Sequence, residues 1–159
     1  MTPSIKSAQR KYYDLLKNND FKVTMARLKM LEVIDKLHIP LTAAEIHEKL
    51  KNLEPPVKAD LATVYRSLNQ FADTGILSRV ELGDSSTRFE YPQSHHHHII
   101  CVDCGKISNI HLCNLDLLVK EISSITGFTD INHEVIFKGK CGCKGTASRS
   151  TSPSNFHRH

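Results

Sequence analysis

The chain has 159 residues, 40% of them hydrophobic, and a formal net charge of +4 with histidine neutral. That length supports one ordinary domain or two small ones that share a partner, and the mild basic bias is compatible with nucleic acid without requiring it. No apolar run approaches the ~18 residues needed to span a membrane, and the N-terminal MTPSIKSAQRKYYDLL lacks an apolar signal core, so a cytoplasmic protein without a membrane partner is expected.

The first half reads as helical and basic. Ser4 to Asn18 carries Ile5, Ala8, Tyr12, Leu15 and Leu16 at helical spacing, with Ser4 as N-cap and Asn18-Asn19-Asp20 as the stop. Thr24 caps a second helix bearing Leu28, Leu31 and Ile34, which ends at His38-Ile39-Pro40. Thr42 caps a third, burying Ile46 and Leu50, and Glu45 three residues on completes a capping box. Pro55 and Pro56 close that element. Asp60 opens a fourth helix, DLATVYRSLNQFADTG, ended by Gly75. Its expected apolar stripe is Leu61, Val64, Leu68 and Phe71, with Tyr65 at the border and Arg66 elsewhere. Ile76–Val80 and Arg88–Tyr91 then read as strands joined through Gly83-Asp84. Helices followed by a hairpin make a winged helix-turn-helix, whose later helix would enter a DNA major groove. Asp84 at the hairpin tip does not favour phosphate, so wing contacts are expected from Arg79, Arg88 or the backbone.

The second half is β-rich and small. Ile99–Val102 and Ile107–His111 are predicted strands, Asn114 the cap of a helix through Ile125, and Phe128–Phe137 the last strand. After Gly145 the chain turns to Thr, Ser, Pro and Asn, and no fixed structure is expected there; His157 and His159 on that tail read as incidental. The fold class is therefore α/β: a winged-helix domain over residues 1–91, a small α+β metal-binding domain over 92–145, and a tail over 146–159. The second domain holds so little core that a metal and a partner subunit should both contribute to its stability.

The richest stretch is SHHHHIICVDCGK, Ser94–Lys106. Alternation along a strand turns His95 and His97 to one face and His96 and His98 to the other. The Cys101-x-x-Cys104-Gly turn lets two thiolates grip one Zn²⁺. Downstream, Cys141-Gly-Cys143 offers two more thiolates at a tight spacing, and Cys113 is an alternative fourth ligand. Five cysteines in a reducing compartment read better as metal ligands than as disulfides. A harder set comprises the four histidines with Glu90, His111, Asp116 and His133. Nitrogen and carboxylate donors suit Fe²⁺, Mn²⁺, Co²⁺ or Zn²⁺. Such sites can also activate water, so a metal-dependent hydrolase is the competing class. These ligands are used up by the metal, however, and no separate general base is in reach, so no enzyme is expected.

KVTMARLKMLEV, LATVYRSLNQFADTGI, SSTRFEY, HHHHIICVDCGKI and GFTDINHEVIFKGKC, in this order, resemble the ferric uptake regulator family over about residues 12–143. The resemblance implies a homodimeric, metal-dependent repressor that binds double-stranded operator DNA. It places the structural Zn²⁺ on Cys101, Cys104 and Cys141, with Cys143 as the fourth thiolate offered. It places the regulatory metal on Glu90, His96 and His98. Two further family ligands depart: Pro40 stands where a histidine is expected, leaving His38 as the nearest substitute, and Asn109 stands where an acid is expected. A second site falls on His95, His97, Asp116 and His133. DNA contacts fall on Lys22 in the minor groove and on Tyr65 and Arg66 in the major groove. RLKMLEV and ATVYRSLNQF look most like the iron-responsive branch, implying regulatory Fe²⁺ and control of iron uptake genes. Zinc-sensing relatives place a cysteine at or near the position of Glu90, and peroxide-sensing relatives use aspartates at positions 90 and 109. A peroxide/manganese- or zinc-responsive regulator of the same family is the alternative.

Overall fold

The computed structural model describes residues 7–92 and 95–143. The expected Ser4 cap, Ile5 and the tail with His157 and His159 lie outside the described residues. The elements run α1 (Ser7–Asn18), α2 (Met25–Leu37), β1 (Leu41–Thr42), α3 (Ala43–Lys51), α4 (Leu61–Asp73), β2 (Ser78–Glu81), β3 (Thr87–Glu90), β4 (His97–Cys101), β5 (Ile107–Ile110), α5 (Asp116–Thr126) and β6 (Ile136–Gly139). The chain divides into two compact units, with the division between Ser94 and His95.

In the first unit the helix starts follow local chemistry. The Thr24 hydroxyl accepts from the Arg27 N–H, and Thr42 with Glu45 forms the reciprocal capping box. The Asp60 carboxylate accepts from the Thr63 N–H at 2.6 Å. Each satisfies an N–H that the helix itself leaves without a partner. His38 stops α2 in the left-handed region, φ 52°. Tyr12 and Lys11 of α1 donate to Asp35 of α2 at 2.6 and 2.9 Å, tying the two helices together. The core is one apolar cluster in which Leu16, Leu31, Ile46, Leu50, Leu68, Phe71 and Phe89 are fully buried. Phe21 meets Phe71 edge to face, with ring centroids 5.2 Å apart.

The wing is a three-stranded antiparallel sheet ordered β1-β3-β2, with Phe89 opposite both Leu41 and Arg79. The two-residue β1 is too short to show alternation in the sequence. The hairpin starts at Ser78 and not at Ile76, because the N–H groups of Ile76 and Leu77 turn back to the Phe71 carbonyl at 2.9 and 3.2 Å. Leu61 does not join the α4 stripe; it is 45% exposed, and Ser67 is buried beside Val64, Leu68 and Phe71.

The second unit is a three-stranded sheet ordered β5-β4-β6, with β4 antiparallel to β5 and parallel to β6. Two expectations are corrected here. Asn114 does not cap α5: Leu115 occupies the N-cap with no side-chain bond, and the acidic Asp116 stands in the first turn. The long strand expected over 128–137 shrinks to Ile136–Gly139, since Asp130 sits at φ 54°, which breaks extended backbone. No residue of α5 is buried. Leu117, Leu118, Ile125, Phe128 and Phe137 are all exposed.

Candidate nucleic-acid interface and metal centres

The α4 surface presents Tyr65, 51% exposed, beside the exposed Arg66. Val64, Leu68 and Phe71 of α4 are spent on the core, which leaves Tyr65 and Arg66 on its outward face. A cleft of about 250 Å³ beside it is lined by Lys22, Thr24, Ala26, Arg27, Thr63, Arg66 and Ser67. Lys22 and Arg66, 44 positions apart in the chain, thus converge on one concave surface with Arg27 as a third cation. Sequence reasoning missed Arg27. Its guanidinium donates to the Lys22 carbonyl and to Gln70 Oε1 at 3.1 and 2.9 Å, and lies over the Phe21 ring. It therefore fixes the chain entering α2 against α4. The wing cations are engaged elsewhere than expected. Arg79 binds Asn69 and Asp73 of α4. Arg88 grips both carboxylate oxygens of Asp84 at 2.6 and 2.7 Å, which braces the hairpin loop.

In the second unit Cys101, Cys104, Cys141 and Cys143 converge, with every sulfur within 4.8 Å of the others. Cys101 ends β4, Cys104 follows on the turn, and the other two come just after β6. Cys104 Sγ lies 3.6 Å from Cys141 Sγ and 3.0 Å from Cys143 Sγ. Hydrogen bonds from the backbone N–H groups of Cys141, Cys104 and Asp103 push the Cys101 thiol down to about 7, so it is readily a thiolate. The structure pairs Cys141 and Cys143 as a disulfide. As thiolates, Cys141 and Cys143 complete with Cys101 and Cys104 a four-sulfur set, the donor chemistry of a closed structural Zn²⁺ site. Cys113 is not part of this group.

The other face of β4 builds a second cluster. His95, His97, His133 and Cys113 bring their donor atoms within 4.8 Å of one another. The His95 ring centroid is 4.7 Å from that of His97 and 4.5 Å from that of His133. Cys113 Sγ lies 3.1 Å from His133 Nε2. His97 is 3% exposed, and neither ring nitrogen has a hydrogen-bond partner among the described residues. Burial, then the neighbouring His95 and His133, lower its pKa below the ordinary imidazole value, favouring the neutral form that binds metals. Asp116, expected in this set, stands outside it.

His96 and His98 share the opposite face, with ring centroids 4.8 Å apart, and His111 lies 5.8 Å from His96. Asn109 Oδ1 sits 3.1 Å from His98 Nδ1, so the amide orients that ring. In the first unit, Glu90 closes β3 and is 5% exposed, and His38 serves as the α2 C-cap.

A winged helix with a basic recognition surface, joined to a small α+β unit carrying thiolate and imidazole clusters, defines a metal-binding DNA-binding regulator. The chain belongs to the ferric uptake regulator family, whose model matches residues 18–138. It is 37% identical over 147 residues to the ferric uptake regulation protein of Klebsiella pneumoniae, covering 88% of this chain and 92% of that one. The crystal structure of the Vibrio cholerae ferric uptake regulator superposes with a TM-score of 0.70 at 36% identity, covering 80% of this chain and 98% of that one. The Francisella tularensis ferric uptake regulator, solved with iron, gives 0.67 at 34%, covering 77% and 92%. Family members are dimerising, metal-dependent regulators of transcription and not enzymes, which removes the hydrolase reading. No helix among the described residues is long and apolar enough to cross a membrane.

Proposed function

We propose that the protein is an Fe²⁺-responsive repressor of iron uptake genes, acting in the cytoplasm as a homodimer on double-stranded operator DNA, with Zn²⁺ as its structural ion. The observation that carries this reading is the presence in one chain of two kinds of donor set: a four-sulfur group suited to a permanent Zn²⁺, and imidazole-rich positions suited to an exchangeable ion. The ferric uptake regulation proteins it resembles support iron as that ion. Glu90, His96 and His98 are the proposed regulatory ligands on the strength of the motif resemblance, with His38 as the additional donor. A second copy would cover the exposed apolar side chains of α5 and β6, which a lone unit leaves in water. Lys22 is proposed to enter the minor groove, Tyr65 to pack on a thymine methyl, and Arg66 to donate to a base edge.

The test is a titration of operator binding with Fe²⁺ under anaerobic conditions, and with Mn²⁺ and Zn²⁺ in parallel. Fe²⁺ should activate binding at the lowest free concentration, and His96→Ala should lose that activation while keeping its Zn²⁺ and its dimer. Stronger activation by Zn²⁺, or by Mn²⁺ with a response to peroxide, would move the protein to another branch of the family. A greater loss in His133→Ala than in His96→Ala would make the His133 cluster the sensor.

A further inference from the structure

The cluster on the other face of β4 has a composition that the motif resemblance does not predict. His97 opens β4 and His95 lies two residues before it, with their ring centroids 4.7 Å apart. His133 comes from the segment before β6, and Cys113 from the loop between β5 and α5. Three separate stretches of chain therefore bring three imidazoles and one thiol together, with their donor atoms within 4.8 Å. The carboxylate available nearby in sequence, Asp116, is instead in the first turn of α5 and exposed.

A Cys113–His133 hydrogen bond at 3.1 Å would account for two of these side chains. It leaves His97 unexplained. A buried imidazole with neither nitrogen hydrogen-bonded among the described residues carries the desolvation cost of both polar atoms. Coordination satisfies one nitrogen with a bond much stronger than a hydrogen bond, and it gives the crowded donor atoms of three imidazoles one common partner. We propose that Cys113 is a metal ligand, completing with His95, His97 and His133 a three-imidazole, one-thiolate site for a borderline-soft divalent ion of the Zn²⁺ or Co²⁺ class.

The thiolate decides the selectivity. A site of imidazoles and a carboxylate accepts Fe²⁺ and Mn²⁺ readily, whereas a sulfur donor favours Zn²⁺ and Co²⁺ over both. The ion displaces the thiol proton on binding, so coordination leaves Cys113 as the thiolate and releases one proton to solvent. This site is separate from the four-sulfur group, with which it shares no residue. It requires nothing of the iron response proposed above, because it is read by metal binding alone.

The experiment uses the full-length protein, reduced and anaerobic, with one equivalent of Zn²⁺ retained in the four-cysteine site as verified by native mass spectrometry. Co²⁺ is then titrated in. The second equivalent should show the near-ultraviolet charge-transfer absorption of a single thiolate on cobalt. Cys113→Ser should abolish that band and weaken Zn²⁺ at this site by at least ~10-fold, since even partners outside the metal's immediate ligands cost that much. Asp116→Asn should leave both unchanged. If Cys113→Ser does not fold, the wild type still decides: the cobalt band should be present, and added Zn²⁺ should protect Cys113 from alkylation. Cobalt bound without a thiolate band, a band that survives in Cys113→Ser, or a loss in Asp116→Asn equal to that in Cys113→Ser would overturn the assignment.

Discussion

Replacing Cys101 with serine should unfold the second unit and leave the first intact. The apolar cluster of buried side chains lies wholly in the first unit. In the second, the buried side chains among the described residues are His97, His98 and Cys101, two of them polar. Such a unit cannot be held by apolar burial within one chain, so cross-links and a partner must supply the difference. A Zn²⁺ on the four cysteines ties Cys104 to Cys141, 37 positions apart. Treated as a cross-link closing that loop, it removes ~4 kcal/mol of chain entropy from the unfolded state. Thiolate coordination adds to this, with apparent binding free energies of ~10–16 kcal/mol for structural zinc peptides at neutral pH. Losing one of four thiolates forfeits enough of that sum to exceed the few kcal/mol by which a small domain is stable. Hydrogen exchange should then show β4, β5 and β6 amides unprotected in the variant while α2, α3 and α4 keep wild-type protection, and bound zinc should fall by one equivalent per chain. A variant that retains one tight zinc per chain, with β4 protected as before, would refute the reasoning.

Arg66→Ala should relax base preference at one operator position by ~1–3 kcal/mol, read by competition among operator variants; an unchanged affinity and footprint would move the recognition face elsewhere. Lys22→Ala should reduce the salt dependence of operator binding by about one phosphate contact, and an unchanged slope would exclude Lys22 from the DNA. Phe71→Ala removes a fully buried ring that packs edge to face on Phe21 and should cost ~3–5 kcal/mol in denaturation of the first unit. A loss below ~1 kcal/mol would contradict that packing. Burial raises the Glu32 pKa, but hydrogen bonds from Lys29 and Lys36 outweigh it and hold the carboxyl at about 2. Its stabilisation is thus present above the unfolded value near ~4.3 and is lost as pH falls toward the folded one. Glu32→Gln should cost ~1–2 kcal/mol at pH 7, discounted for the exposed Lys36, and the difference from wild type should shrink between pH 5 and 3. A difference independent of pH would exclude the ion pairs as its source.

The first unit was legible because α2, α3 and α4 each carry their own start signal. Thr24, Thr42 with Glu45, and Asp60 act on N–H groups three residues away, so the sequence alone contains both partners of the bond. The wing was legible in type but not in charge: Arg88 looks available to phosphate until Asp84, four residues earlier, is seen gripping it. Arg27 was missed because its partners, Lys22 and Gln70, come together only when α2 packs on α4. In the second unit, local rules failed where the chain crosses over. β6 is parallel to β4, so no turn sets its register, and the segment 128–135 before it is left out of the ladder.

The same contrast explains why the fourth thiolate and the histidine cluster resolved differently. Cys141 and Cys143 flank one glycine beyond β6, and the parallel pairing that sets Cys101 against Gly139 carries both to the Cys101–Cys104 turn. No element beyond β4 and β6 has to be placed for that to happen, yet the sequence left Cys143 and Cys113 both open as the fourth ligand, because it does not set the parallel register. Cys113 required a further condition. It sits three residues past the end of β5, and whether it or Asp116 faces His133 depends on the path of the loop that leads into α5. Residues 111–115 form the loop between β5 and α5, and along it Cys113 turns toward the histidines while Asp116, the first residue of α5, stands exposed. The path of that loop thus decides whether the site offers a carboxylate or a thiolate, and a thiolate favours Zn²⁺ and Co²⁺ over Fe²⁺ and Mn²⁺.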